Sequence, residues 1–196
     1  MDSREPNERR ERLVEAAALI LKGAGGSLNI TPLNKALFYL DLRSLLETGS
    51  TATGASYIAL KQGPVVAKYP ERLVGALEKA GLAIQSDEED GSKPLSLVQE
   101  PPEPRFLDAE QVRLVEGIAR WAKEKGASWL SNFSHENIGW MLAWQEGLGS
   151  GRPAKSINLH LAMQQLAEDD AWLTDELSDR ERAVFARADQ ETGAEW

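Results

Sequence analysis

The sequence predicts a mainly helical fold with a small β element, an α+β class in which strands are a minority. Two observations carry this. Apolar residues recur at the 3.6-residue period through most of the chain, whereas β-prone segments bounded by turn residues are confined to 57–66 and 82–98. The 196 residues, 42% hydrophobic and 27% charged, suffice for one domain with extensions around its own core.

Glu8 to Lys22 is the first predicted helix: Leu13, Ala17, Ile20 and Leu21 share a face, and Gly23-Ala24-Gly25-Gly26 stops it. That glycine cluster is no phosphate loop, since no Gly-Lys-Ser/Thr follows and no strand precedes it. Thr31-Pro32 opens a second helix, Pro32 to about Glu47, with the Thr31 hydroxyl as the expected cap. Leu33, Leu37, Phe38, Leu40, Leu42, Leu45 and Leu46 make it apolar over more than half its circumference, the mark of a centrally buried helix. Lys35 and Asp41 interrupt that surface and are expected to snorkel outward or be paired.

Gly49 and Gly54 bracket a polar turn before a short strand, Tyr57-Ile58-Ala59-Leu60, and Gly63-Pro64 is expected to fix a bend after it. Tyr69 to Ala80 is a third helix, with Leu73, Val74 and Leu77 inward and Gly81 closing it. Leu82-Ala83-Ile84 and Leu95-Ser96-Leu97-Val98 flank the acidic turn Asp87-Glu88-Glu89-Asp90-Gly91 and read as a β-hairpin.

The prolines of Glu100-Pro101-Pro102-Glu103-Pro104 mark a linker. Asp108 caps the next helix, which carries Val112, Val115, Ile118, Ala119 and Ala122 with Trp121 beside them and ends at Gly126. A short helix covers Ser128 to Phe133, Trp140 to Trp144 resumes after an irregular stretch, and Gly147 to Pro153 reads as a flexible loop. Ser156 to Ala188 holds two more helices broken near Thr174, and Asp189 to Trp196 frays. The expected organisation is a flexible N-terminus, 1–9; a helical domain, 10–166, with a hairpin-bearing half, 10–99, and a helical half, 106–166; and an acidic helical extension, 167–196.

Composition excludes several function classes. Without cysteine there is no disulfide scaffold, thiolate metal site or cysteine nucleophile. The charged first twelve residues lack the apolar run of a secretory signal, and the stretch Ala16 to Leu21 is far short of the roughly 20 residues of a membrane span, so a cytoplasmic location is expected. A formal charge of −9 disfavours nucleic acid and suits a protein partner. His135 and His160 stand outside any metal-ligand spacing, so no metal site is expected; a small hydrolase or metal enzyme using His135 is the third functional reading. His135, near Trp140, is expected to be structural. Gly149-Ser150-Gly151 lacks the spacing of a nucleophile elbow. Trp121, Trp129, Trp140 and Trp144 are expected to anchor packing between the halves, one or two meeting a partner at the rim.

From residue 8 to 98 the element order is also that of a winged helix, whose helix before the hairpin would enter a major groove. Here that segment, carrying Glu71, Arg72, Glu78 and Lys79, is nearly neutral and poor for phosphate contacts.

Three segments carry a resemblance: Leu33-Asn34-Lys35-Ala36-Leu37-Phe38-Tyr39-Leu40-Asp41, then Tyr57-Ile58-Ala59-Leu60-Lys61-Gln62-Gly63-Pro64-Val65, then Ser134-His135 with Trp140. Over residues 10 to 166 they resemble the Panacea domain, the SocA-like or phage-associated GepA-like family, and the first two are specific in combination. The resemblance implies an antitoxin that neutralises a toxin encoded beside it by direct protein contact; in the SocA branch it is an adaptor feeding the toxin to a protease. It implies no enzymatic reaction, catalytic residue, cofactor or metal. The motif positions are Lys35, Tyr39, Asp41, Tyr57, Gly63, Pro64, Val65, His135 and Trp140, with structural or partner-binding roles; Gly63-Pro64 would fix the turn, and Lys35 or His135 would satisfy buried carbonyls. The chain departs from the pattern at Gly139, where the family more often has proline, and in the acidic extension from Glu168, a candidate partner-specific arm. The expected partners are the toxin, a protease in the adaptor case, and a second copy through the apolar helices. The alternative function is a winged-helix-like transcriptional regulator.

Overall fold

The computed structural model describes residues 6–88, 91–151 and 154–168. Helices dominate, and α2 (Ile30–Thr48) is their hub: every residue from Pro32 to Leu42 is buried. The helices α1 (Pro6–Gly23), α4 (Ala109–His135) and α6 (Leu159–Glu168) pack around it. α2 starts earlier than the expected Pro32. Asn29 holds the cap position in extended conformation without a side-chain cap bond, so the Thr31 cap is not formed. Pro32 falls in the first turn, where a missing N–H removes no intrahelical bond.

Two small antiparallel sheets lie against the helices. In the first, β1 (Ser27–Asn29), β4 (Ala83–Gln85) and β5 (Pro94–Leu97) are ordered β1-β5-β4, with Ala83 opposite Leu97 and Leu28 opposite Leu95. The expected hairpin is present, and β1, absent from the sequence reading, joins its outer strand. The second sheet pairs β2 (Tyr57–Leu60) with β3 (Gly63–Val66), Leu60 facing Gly63 across a two-residue loop. Lys61-Gln62 therefore makes the turn, and Gly63-Pro64, expected to form a bend, are strand residues. Pro64 is tolerated there because it pairs with Ala59, whose N–H points away from the hairpin to the Lys155 carbonyl; at such a position a strand loses nothing by lacking a donor.

Between the sheets, a wide π turn, Pro70–Val74, leads into α3 (Gly75–Lys79). The helix closes at Gly81 (φ 68°), whose N–H bonds the Glu78 carbonyl while that of Leu82 reaches Leu77, a Schellman ending. With α1 and α2, the order β1-β5-β4 gives the N-terminal half a winged-helix arrangement, with β2–β3 inserted between α2 and α3.

In α4, Asp108 and Gln111 form a capping box, and Gly126 (φ 71°, ψ 173°) breaks the axis where the sequence predicts an end. Helix resumes at once and runs to His135. Asn137 then caps α5 (Ile138–Ser150), accepting from the N–H groups of Gly139 and Trp140. α5 continues through Gly147 and Gly149 to a left-handed Gly151, so most of the expected loop from Gly147 is helical. Ser156 bridges to Ile58 and α6 starts at Leu159, later than the expected Ser156. The expected break near Thr174, the helix beyond it and the fraying of 189–196 lie outside the described residues. Among the described residues no helix is long and apolar enough to cross a membrane.

Candidate functional site

The first motif cluster surrounds the tip of the β2–β3 hairpin. Lys35 leaves α2 fully buried, and its Nζ donates to the Pro64 carbonyl oxygen at 2.9 Å. It neither snorkels outward nor meets a carboxylate, and burial pulls its amine down to about 7. Gly63 (φ 98°) has no room for a side chain: a Cβ would overlap Ser134 Oγ and stand 2.7 Å from Lys35 Cε. Asn34 works one residue earlier, its Oδ1 accepting from the Val66 N–H at 2.9 Å. Lys35 and Asn34 thus close the outer edge of β3. On the far edge, the Ala59 N–H bonds Lys155 and the Tyr57 carbonyl accepts from Ile157.

α4 and α5 hold the hairpin from its tip. Trp140 Nε1 donates to the Leu60 carbonyl at 3.1 Å, and Ser131 Oγ to that of Gln62 at 3.0 Å. His135 stacks on Trp140 with centroids 4.2 Å apart, and Trp140 stacks on Trp144 at 5.7 Å. Burial lowers the imidazole pKa, Lys35 lowers it further, and a backbone hydrogen bond at Lys61 opposes them. The ring of His135 packs against Trp140, and its Nε2 is buried with no protein partner. Val65, opposite Ile58, is buried in the same hairpin.

Asp41 and Tyr57 form a second cluster. The carboxylate accepts from the Thr53 N–H at 2.7 Å, from the Thr53 hydroxyl and from the Tyr57 hydroxyl at 2.8 Å. Burial raises Asp41 to about 6 against the opposing pull of those bonds, and burial with the nearby Asp41 charge pushes the Tyr57 phenol up. Tyr39 packs edge-on against Trp121 at 5.2 Å and against Phe38 at 5.3 Å, and is tilted against Phe133 at 5.3 Å. His160 is exposed on α6, and among the described residues no three metal-ligating side chains gather.

Asn34, Thr53 and Arg12 escaped sequence reasoning. Thr53 had a faint signal, a hydroxyl in the polar turn between Gly49 and Gly54, twelve residues beyond the acid of the apolar helix. Arg12 gave none: it joins α1 to the Ala52 carbonyl at 2.7 Å and to Gln111 Oε1 at 2.7 Å, partners 40 and 99 residues away.

Among the nine motif positions, Lys35, Asp41, Tyr57 and Trp140 turn their polar atoms toward the protein's own backbone and side chains. A family model described as antitoxin SocA-like, Panacea domain matches residues 33–141, more than half of the chain. The chain belongs to the Panacea family. All nine motif positions fall inside the matched span, and membership supports an antitoxin-type role. No curated protein and no solved structure matches. In this Panacea chain Gly139 has a packing reason: a Cβ there would stand 2.7 Å from Ala162 Cβ, so proline would separate α5 from α6 and remove the donor to Asn137 Oδ1.

Proposed function

We propose that the protein is a cytoplasmic antitoxin that neutralises the toxin of a neighbouring gene by stoichiometric binding, without turnover. The observation that supports this most is the fate of the motif side chains. Lys35 and Trp140 spend donors on backbone carbonyls, Asp41 is saturated by Thr53 and Tyr57, and Gly63 is filled by its neighbours. Such residues build a scaffold for recognition. A proteolytic-adaptor role, as in the SocA branch, is the finer form of the same reading. The test is co-expression with the neighbouring reading frame: a copurifying pair and restored growth are expected, and neither appearing overturns the reading.

The acidic charge gives this reading a kinetic side. Complementary charge raises association rates, so a basic toxin would bind faster at low salt; an association rate indifferent to salt removes the steering role.

The strand order β1-β5-β4 favours a second reading, DNA binding by a winged helix. Charge opposes it: the loop joining β4 to β5 carries Asp87, Glu88, Glu89 and Asp90, and α3 with its preceding turn is nearly neutral. A salt-dependent gel shift on the upstream DNA would carry this reading forward.

A further inference from the structure

Beside the hairpin tip lies a groove of about 430 Å³, walled by Ile30 and Asn34 of α2, Leu60 and Lys61 of the hairpin, Tyr69, and Trp144 of α5. That volume suits a few side chains. Its lining includes Lys35 and Lys61 and no carboxylate, in a chain where acidic residues outnumber basic ones by 31 to 22. Lys61 is exposed at the rim. The apolar wall continues along α5, because Leu148 lies one helical turn beyond Trp144 on the same face and is 64% exposed. Backbone pairing is closed to a visitor: the outward-facing Pro64 and Tyr57 carbonyls and the Val66 and Ala59 N–H groups are all bonded within the chain. Recognition here runs through side chains.

We propose that this groove is the contact site for the toxin, receiving an aromatic or aliphatic side chain flanked by a carboxylate. The apolar group lies against Trp144, Tyr69 and Leu60, and the carboxylate pairs with Lys61. An apolar anchor buried beside a charge pair at the rim is the composition of an interface hot spot. The inference rests on the antitoxin reading and adds to it the surface and the chemistry that surface selects. A competing apolar patch, Ile84 of β4 with Val98 just past β5, is 54% and 53% exposed, but Ile84 stands three residues before Asp87, where the acidic run of the β4–β5 loop begins and repels a carboxylate.

The test is calorimetric titration of the full chain with the purified product of the neighbouring reading frame. Wild-type chain that does not bind removes the antitoxin reading itself. Given wild-type binding, Trp144→Ala and Lys61→Glu each weaken affinity about tenfold or more, while Lys61→Arg and Ile84→Ser stay within about threefold. Trp144→Ala also removes a stack on Trp140, so Lys61→Glu, an exposed change, keeps the test decisive if the first variant melts early. Unchanged affinity for Lys61→Glu overturns the proposal. So does a Lys61→Glu effect confined to the protein's own oligomeric state in light scattering, which would give the groove to a second copy.

Discussion

Two glycines separate backbone strain from helix propensity. Gly63 sits at positive φ with Lys35 and Ser134 filling the place of a Cβ, whereas Gly117, inside α4, has open space around it. Gly63→Ala is expected to cost about 2 kcal/mol or more, and Gly117→Ala to stabilise by about 1 kcal/mol; urea midpoints give both. Lys35 and Asp41 set opposite pH slopes. Lys35 is at about 7 in the fold against an ordinary 10.5, so between those values the unfolded chain binds the proton that the folded chain lacks. Stability therefore rises with pH across that window, and Lys35→Met flattens the rise. Asp41 is at about 6 against 3.8, so the folded chain keeps a proton that the unfolded chain has released. Stability falls as pH climbs through that lower window, and Asp41→Asn removes the fall. Denaturant titrations from acid to alkaline pH check both; a wild-type slope retained in either variant removes that residue from the account.

Element boundaries test how far local signals reach. The N-cap at Asp108, the closing glycine Gly81 and the break at Gly126 were legible because each is written within a few residues of the chain, while the Gln111 half of the capping box and the Schellman bonds came from the structure. Asp108→Ala is expected to cost about 1 kcal/mol, measured by thermal unfolding. What local signals missed has remote causes. β1 is three residues long with two polar side chains, and its partner arrives nearly seventy residues later. The glycines of α5 suggested a loop, yet Gly147 is buried, so packing overrides propensity there. At the site, the motif positions were visible but not their grouping, since α2, the hairpin, α4 and α5 meet only in three dimensions. The proline linker, by contrast, was visible but not its anchor: the Glu15 carboxylate of α1 accepts from the backbone N–H groups of Arg105, Phe106 and Leu107. Glu15→Ala should speed amide hydrogen exchange at those three residues while leaving α2 protected; unchanged exchange would mean that the linker is held by other contacts.

Across the whole molecule, charge and architecture divide along the chain. Residues 168–196 carry ten acidic and three basic side chains, so they hold −7 of the net −9, and the helical body is almost neutral. On the proposed antitoxin reading, long-range attraction to a basic toxin would thus arise mainly from the C-terminal segment, and the groove would supply short-range fit. The hairpin itself is finished by late parts of the chain: Ser131, Trp140, Lys155 and Ile157 all bond it. Synthesis gives this a cost in time. Once Leu60 is made, about a hundred residues separate it from Ile157, on the order of 5–20 s at ribosomal rates of roughly 5–20 residues per second. Through that interval the outer edge of β2 has no strand to cover it and is open to the wrong neighbour. A nascent chain, or one terminated before Ile157, is thus a sticky intermediate, and on the proposed antitoxin reading its docking groove would be finished only after Ile157 has been made.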